Sequence, residues 1–373
     1  MTWLKSIFHR ETVFCVSALS AALSILAVPP DRAYLSYPDY RTLALLFCLM
    51  LIVAGFRSLG VFELLGRSLL RRCGNLRSLA TVLVLLCFFC SMVITNDVTL
   101  LTFVPFTLLV FRMTGQEARV LTVVVWETIA ANLGSMATPI GNPQNLYLFS
   151  ISGLSLGEFA QAVLPYAGLA LILLLAALGR LSRIPIQEEV PLASGPDVPV
   201  PKTGQLLPYL ALLALCLLVV FRVVPYGPAL ACVAAVVFLA DRKLFRSVNY
   251  FLLLTFLCFF IFIGNLKRIP ALNDLLLFLV GGHELWAGIL ASQVISNVPT
   301  AILLSGFTDN FSALLTAVNL GGLGTLVASL ASLISFQFFA AEYPKQKAAF
   351  LRVFTLWNVG FLLILALAAM VLI

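Results

Sequence analysis

The feature that most constrains this chain is a series of apolar segments, each roughly 17–22 residues long, that recurs along its whole length. A helix of about 20 apolar residues crosses the ~30 Å hydrocarbon core of a bilayer. Backbone groups in lipid must be paired within their own segment, which favours helices over open strands. The composition agrees, because 61% of the 373 residues are hydrophobic and only 10% are charged. The sequence therefore predicts an all-α polytopic membrane protein and excludes a water-soluble domain.

Basic residues are concentrated in the segments between the apolar runs. Such segments face the cytoplasm in membrane proteins, so we attribute the net charge of +7 to the orientation of the chain in the membrane. We expect contact with lipid and no nucleic-acid partner. The pattern predicts a multi-pass protein of a bacterial inner membrane, whose cytoplasmic N-terminus, MTWLKSIFHR, leads an uncleaved first helix. Lys267 and Arg268 are the main basic residues placed outside. The segments assigned to the cytoplasm are 57–77, 112–119, 180–205, 241–247 and 342–352.

One segment differs from the rest in composition and divides the chain in two. Residues 180–205 contain five prolines and a cluster of acidic residues, which is typical of an extended, solvated connector. We therefore predict a first half at 1–179, a cytoplasmic linker at 180–205 and a second half at 206–373. Uninterrupted helices are predicted at 12–28, 41–56, 159–178, 206–222, 228–240, 249–264 and 351–372.

The two halves contain the same parts in the same order. TNDVT at 95–99 matches SNVPT at 296–300, and NLGSMAT at 132–138 matches NLGGLGT at 319–325. Each half thus has a polar tip inside an apolar block, followed by a helix interrupted at Asn-Leu-Gly. These matches predict an internal structural repeat with two re-entrant hairpins and two broken helices. The hairpin tips are predicted at 95–99 and 296–300, and the broken helices at 118–148 and 312–341.

The number of crossings between the two tips predicts that the repeat is inverted. If each tip belongs to a hairpin that enters and leaves on one side, five crossings separate the tips along the sequence. An odd number places the two halves in opposite orientations, as in many secondary transporters. The full prediction is about nine spanning helices and two re-entrant hairpins.

Asp97 lies in the middle of an apolar block, where a charged side chain requires a reason. A carboxylate at the bilayer centre costs about 3 kcal/mol on insertion scales, so such residues are functional by default. The alternative is a short loop in the headgroup region that joins two ordinary helices. The matching Ser296-Asn297 tip favours a functional site over that loop.

Glu127 is the second acidic residue of an apolar segment, and it precedes Asn132 by five residues. One interpretation is a proton or cation group that faces the site. The other is an ion pair with Arg112 or Arg119 near the start of the same helix. The second half offers no acidic counterpart to either carboxylate, so the two halves are not expected to hold equivalent ion sites.

Glycine-rich interruptions of the helices indicate where ions or substrates bind. Gly134 and Gly322 permit unwound backbone, and Pro139 enforces it in the first half. Unwound backbone within a membrane offers free carbonyls to cations and free N–H groups to anions, and half-helix N-termini add a positive dipole end. Close helix packing is the alternative use of such glycines. Their coincidence with Asn132 and Asn319 favours binding.

Four motifs carry a resemblance that extends over nearly the whole chain. They are SMVITNDVT at 91–99, ANLGSMATPIGNPQNL at 131–146, SQVISNVPTAILL at 292–304 and AVNLGGLGTLVASLASLI at 317–334. In these the chain resembles the ion transporter superfamily, which includes divalent anion/sodium symporters, arsenite-efflux permeases, citrate transporters and one class of sodium/proton antiporters. Its closest likeness is to a bacterial branch of inner-membrane permeases.

The resemblance implies roles for individual residues. In the symporters a sodium ion binds at each junction of tip and broken helix, the anion lies between, and hairpin and broken helix move together as an elevator. The implied coupling-ion residues are Thr95, Asn96, Asp97, Asn132, Gly134, Ser296, Asn297, Asn319 and Gly322. The implied substrate-binding residues are Asn96, Thr99, Thr138, Asn142, Asn145, Asn297, Thr300 and Thr325.

Departures from the symporter pattern leave the coupling ion open. The first tip is Thr-Asn-Asp instead of Ser-Asn-Thr, and Val298 and Pro299 follow the second asparagine. Asp97 makes the first tip resemble arsenite-type permeases and favours proton coupling or a cation-dominated site. Asp97 and Glu127 are thus the candidate proton groups.

The predicted function is secondary active transport of a small carboxylate or inorganic oxyanion, coupled to sodium or protons. We expect no other cofactor or metal, and a homodimer is possible from the resemblance. The alternative within transport is a cation/proton antiporter that uses Asp97. An ion channel and a membrane enzyme with an Asp97–Glu127 acid pair are further alternatives, although the common enzyme motifs are absent from the sequence.

Overall fold

A computed structural model describes residues 12–70, 73–185 and 203–372, and within these ranges the chain is helical without β-strands. The prediction of an all-α polytopic membrane protein is confirmed. The predicted N-terminal lead segment, Arg71 and Arg72, and most of the linker lie outside the described residues.

The described residues form 17 α-helices, which we number in chain order. In the first half they are α1 (Thr12–Ala27), α2 (Tyr40–Ser58), α3 (Val61–Leu70), α4 (Leu76–Ile94), α5 (Asn96–Met113), α6 (Glu117–Ser135), α7 (Pro143–Ser152) and α8 (Leu156–Gly179). They continue with α9 (Thr203–Val220), α10 (Tyr226–Ala240), α11 (Tyr250–Lys267), α12 (Pro270–Val280), α13 (Glu284–Ile295), α14 (Asn297–Leu304), α15 (Phe311–Leu320), α16 (Leu330–Glu342) and α17 (Lys347–Leu372).

Six helical segments of the described part are long and apolar enough to cross a membrane, and α12 with α13 would add a seventh if this pair, bent by 111°, is one span. Both arms of the first predicted hairpin, α4 and α5, are among the six, so length alone permits two full crossings there. The second hairpin differs, because α13 has 12 residues and α14 has eight, too few for about 20. The count of nine spans and the re-entrant placement of the tips stay predictions.

Local sequence explains where these helices begin and end. Asn75 caps α4 through a reciprocal capping box with Ser78, and Ser155 does the same for α8 with Glu158. Asn142 caps α7 by accepting a hydrogen bond from the Asn145 N–H, and Pro143 follows it at the first helical position. The interruptions predicted from glycine, proline and asparagine therefore lie between helices: residues 136–142 separate α6 from α7, and 321–329 separate α15 from α16.

Helices α1–α8 correspond in order to α10–α17, and matching hydrogen bonds fix the register. Asp31 accepts from the Ala33 N–H before α2, as Asp241 accepts from the Lys243 N–H before α11. One step later, the Tyr40 hydroxyl donates to the Leu35 carbonyl at 2.9 Å, and the Tyr250 hydroxyl donates to the Phe245 carbonyl at 3.0 Å. These pairs share an offset of 210 residues, and α9 lies between the two sets.

The helices pack as two groups. In one group α1 packs on α11, and α9 and α10 pack on α2. In the other, α4 and α5 pack on α6, α13 packs on α15, and α16 and α17 pack on the first-half helices α5 and α6. The groups meet where α2 contacts α7 and α11 contacts α14. Both hairpins and both broken helices thus belong to the second group, which brings the four motifs together.

Candidate functional site

The first tip is a single residue, Thr95, between two helices. Its backbone has φ 72° and ψ 153°, a conformation that residues other than glycine rarely adopt. The Thr99 hydroxyl donates to the Thr95 carbonyl at 2.7 Å. Beyond the tip, the Asn96 amide donates to the Asn132 side-chain oxygen at 3.0 Å, and the Asn96 N–H donates to the Gly141 carbonyl. The tip of the first hairpin is therefore attached to both sides of the break in α6–α7.

The second tip repeats this geometry with different chemistry. Ser296 has φ 73° and ψ 154°, and the Thr300 hydroxyl donates to its carbonyl at 2.8 Å. The Ser296 hydroxyl donates to the Ala328 carbonyl at 3.3 Å, within the second break. A Cβ added to Gly322 would lie 2.7 Å from the Asn297 amide nitrogen, so this asparagine lies directly on the glycine of the break.

Each break is also attached to the arm that leads into its tip. The Thr138 hydroxyl donates to the Met92 carbonyl, and the Thr325 hydroxyl donates to the Gln293 carbonyl at 3.1 Å. The Gln293 amide additionally donates to the carbonyls of Gly321 and Leu323, both at 3.0 Å. Equivalent hydrogen bonds thus attach the break to the hairpin in each half.

Close backbone approach explains the glycines of the Asn-Leu-Gly motifs. A Cβ on Gly134 would lie 2.1 Å from the Phe88 carbonyl oxygen and 2.8 Å from the Ser91 hydroxyl. A Cβ on Gly321 would lie 2.6 Å from the Ser292 hydroxyl. The atoms nearest to a Cβ at Gly134 belong to α4, which agrees with the close-packing use of this glycine. Its place with Thr95 and Asn96 at the first coupling-ion junction stays a prediction.

The two broken helices are bonded to each other across the repeat. Asn132 in the first break accepts from the Ser329 hydroxyl at 3.0 Å and donates to the Ser332 hydroxyl at 3.3 Å. Asn319 in the second break accepts from the Asn142 amide at 3.0 Å and donates to the Asn145 oxygen at 2.7 Å. Each motif asparagine therefore binds the residues that begin the second part of the opposite broken helix. All are buried.

A cavity of about 520 Å³ adjoins the first tip. It lies between α2 and α5, and α7, α11 and α16 complete its wall. Thr95, Asp97 and Asn142 of the predicted site line it, and Arg57 at the end of α2 is its basic lining residue. Asp97 is half-buried, and in the described part of the chain no basic group lies within ion-pair distance of it. The Asp97 carboxylate is thus available to a ligand in the cavity.

Glu127 lies elsewhere, and of its two interpretations the ion pair with Arg112 or Arg119 is not found among the described residues. Its side chain is fully buried and accepts a hydrogen bond from the Thr107 hydroxyl. Arg112 pairs with Glu342 instead, and no ion pair among the described residues includes Arg119. Glu127 is not among the lining residues of the Asp97 cavity. Packing of α5 against α6 decides this position, because it brings Thr107 opposite Glu127.

The chemistry available at this site suits small, hard ions. Hydroxyl, carboxylate and amide oxygens at the first tip are the ligands that such cations prefer, whereas amide and backbone N–H groups can hold an anion. Within the described ranges, no cluster of three or more His, Cys, Asp or Glu residues could bind a transition metal.

The structure brings together most of the predicted site residues, with two qualifications. Thr325 is exposed and is used to attach the break to Gln293, and Thr300 is buried against its own helix. Sequence reasoning missed Ser329, Ser332 and Gln293. The repeat could have found the two serines, because the offset that aligns Asn132 with Asn319 also aligns Asn142 and Asn145 with them.

Sequence comparison identifies relatives that include an inner membrane protein and a transporter. The chain is 36% identical over 304 residues to the inner membrane protein YbiR of Escherichia coli, which covers 80% of each chain. It is 31% identical over 300 residues to an uncharacterized transporter of Methanocaldococcus jannaschii, covering 80% of this chain and 81% of the relative. A shorter match, 32% identical over 178 residues, links 45% of this chain to 21% of the human P protein.

The family comparison covers most of the chain. The model of the citrate transporter family matches residues 2–314, a stretch that includes the first tip, the first break, the cavity lining up to Leu252 and the second tip. The predicted membership of the ion transporter superfamily is confirmed by this match and by the transporter names of the relatives. With its helices, tips and paired breaks, the chain belongs to the citrate transporter family and is a multi-pass membrane transporter.

Proposed function

We propose that this transporter is a secondary active carrier of a small anion, a carboxylate or an inorganic oxyanion, coupled to sodium or protons. The observation that carries the proposal is the joined pair of breaks, in which Asn132 and Asn319 each bind the opposite broken helix. Two interrupted helices with their polar backbone turned toward one point are the arrangement that binds ions within a membrane. The chain belongs to the citrate transporter family, and this membership supports an anionic substrate.

The coupling ion belongs at the first tip. Asp97 supplies a negative charge in the first turn after Thr95, and both residues line the cavity, which offers a path to them. The second tip has Val298 at the matching position, so a second identical cation site is not expected there. We expect one charged coupling site and one neutral site, with the anion between the tips.

Movement of the hairpins and broken helices as one unit is the transport step that we infer. The bonds from Thr138 to Met92 and from Thr325 to Gln293 attach each break to its hairpin. The bonds between the breaks join the two halves of this group. Such a group can slide as a rigid body against α1, α2 and α9–α11.

Cation/proton exchange is the second candidate, favoured by the absence of an ion-pair partner for Asp97 among the described residues. It requires only that Asp97 alternates between a proton and a metal cation. A channel would carry flux independent of any coupling gradient. An acid-pair enzyme is disfavoured, because Glu127 does not line the cavity that holds Asp97.

The test is thermal stability of the detergent-purified protein with citrate, succinate, sulfate, phosphate or arsenite, each with and without sodium and at acidic and neutral pH. A ligand that binds only the folded state raises the melting temperature according to its affinity. We expect one anion to act only with sodium or at one pH. Asn96→Ala and Asn297→Ala should abolish this shift.

The matched control is Asn358→Ala, which removes a buried asparagine of α17 that bonds only its own helix among the described residues. It should leave the anion-dependent shift unchanged even if it lowers the basal melting temperature. If no anion acts, but sodium, lithium or pH shifts the melting temperature through Asp97, anion transport is wrong and cation/proton exchange replaces it.

A further inference from the structure

Two basic residues occupy equivalent positions in the two halves. Arg57 lies in the last turn of α2, and Lys267 lies in the last turn of α11. The offset of 210 residues that aligns Asp31 with Asp241 and Tyr40 with Tyr250 also aligns Arg57 with Lys267. Because the halves are predicted to be inverted, these two side chains belong to opposite faces of the membrane.

The surroundings of the two residues differ in one respect. Arg57 lines the 520 Å³ cavity between α2 and α5, with Val98 and Leu101 of the first hairpin on the other side. Lys267 lies against the end of the second hairpin, where a Cβ on Gly306 would be 2.8 Å from its Cε. The helices that correspond to α2 and α5 are α11 and α14, and these are in contact. The space between the two corresponding helices is therefore an open cavity in the first half and is closed in the second half.

A favourable interaction with the helix C-terminus is the ordinary reason for a basic residue in a last turn. It accounts for neither location. It does not explain why Arg57 lines a cavity that leads to Asp97 and Asn142. It also does not explain a lysine on the face that is predicted to be external, where basic residues are depleted in membrane proteins.

We propose that Arg57 and Lys267 attract the anionic substrate at the two mouths of the transport path. This inference rests on the proposed function. Arg57 acts on the face to which the cavity opens in this structure, and Lys267 acts after the second hairpin has moved away from α11. Each supplies positive charge in a low-dielectric cleft, where it raises the local concentration of an anion. The two side chains attract the anion toward the binding site but are not part of that site.

The experiment measures uptake of radiolabelled citrate, succinate, sulfate and phosphate by right-side-out and inside-out membrane vesicles. We expect Arg57→Gln to raise KM about tenfold for the transported anion offered at its own face, with the maximum rate retained, as for the loss of electrostatic steering. Lys267→Gln should do the same at the opposite face only. Arg57→Lys and Lys267→Arg should restore KM, and higher salt should reduce the difference.

The matched control is Arg246→Gln. Arg246 is an exposed basic residue next to Ser247, and unlike Ser247 it does not line the cavity. It should leave KM unchanged at both faces. A lower maximum rate at both faces would indicate a structural role and overturn the proposal. Transport with unaltered KM in both variants would overturn this inference alone, whereas transport of none of the four anions by the unmodified protein would overturn it together with the proposed function.

Discussion

The two hairpin tips have nearly the same backbone and different surroundings. Thr95 and Ser296 agree within about one degree in φ and ψ, and each accepts the hydroxyl of a threonine one turn later. Beside the first tip lie Asp97 and a cavity; beside the second lie Val298 and closed packing. The comparison shows that an internal repeat preserves the backbone that forms a site, while the charge and the opening of that site diverge between copies.

The strained tip backbone is part of what is preserved. A non-glycine residue in this region costs on the order of 1–3 kcal/mol, and such residues persist where the surrounding structure holds them. Here the surrounding bonds come from the breaks: Asn96 is attached to Asn132 and Gly141, and Ser296 to Ala328. The tips therefore depend on the broken helices for their shape.

The largest expected difference between the halves is at the glycines. Gly134→Ala places a Cβ 2.1 Å from a backbone oxygen, which cannot move aside, whereas Gly321→Ala meets mainly the Ser292 side chain at 2.6 Å. We expect Gly134→Ala to destabilise the protein by about 3 kcal/mol or more and Gly321→Ala by about 1–3 kcal/mol. Thermal unfolding in detergent measures both. Gly168→Ala is the control, since its Cβ would meet no neighbouring atom within 4 Å; equal losses in all three would refute the comparison.

The charge difference between the tips gives the next prediction. Asp97→Val gives the first tip the residue of the second, and Asp97→Asn removes the charge at constant size. Both should weaken anion binding in the presence of the coupling ion by about 5- to 150-fold, because the coupling free energy is lost. Anion-induced shifts in melting temperature, with and without sodium and at two pH values, measure this effect. Asp274→Asn, in an exposed acid of α12, is the control; an unchanged sodium or pH dependence in the Asp97 variants would exclude Asp97 as the coupling group.

The bonds between the breaks allow a smaller comparison. Asn142 caps α7 and also donates to Asn319, whereas Ser329 donates to Asn132 without capping α16. We expect Asn142→Ala to cost about 2–3 kcal/mol and Ser329→Ala about 1 kcal/mol, since a cap adds to a buried hydrogen bond. Chemical denaturation of the purified protein would report both. A larger loss of stability for Ser329→Ala than for Asn142→Ala would contradict this comparison of the Asn142–Asn319 and Ser329–Asn132 hydrogen bonds.

The smallest effect concerns the loop before α2. The hydrogen bond from Arg268 to Asp31, at 2.8 Å, lowers the pKa of this exposed carboxyl below its usual value. A lowered pKa in the folded state contributes stability at neutral pH, and this contribution is lost as pH falls through the folded-state pKa. Asp31→Asn should therefore reduce the acid dependence of the melting temperature slightly. Asp241→Asn, at the equivalent position of the second half and without an ion pair among the described residues, is the control for loss of the matching turn hydrogen bond.

Much of the local architecture could be predicted because its causes lie within a few residues. Apolar length specified the helices, and the runs around Thr95, Pro139 and Asn142 specified where they stop, since asparagine, proline and glycine act on their own turn of backbone. The broken helix predicted at 118–148 covers α6, the non-helical residues 136–142 and the first part of α7. The resemblance then directed attention to the tip and break residues, most of which lie together.

What the sequence alone determined is thus the set of helices, their interruptions and the matching of two halves. Only the tertiary structure decided which partners those interruptions have: Asn132 with Ser329, Asn319 with Asn145, and Glu127 with Thr107 instead of an arginine. It also decided that the cavity adjoins Asp97 and that the equivalent gap beside Lys267 is closed. The physical reason is that these contacts join helices distant in the sequence, and their choice depends on how whole helices pack.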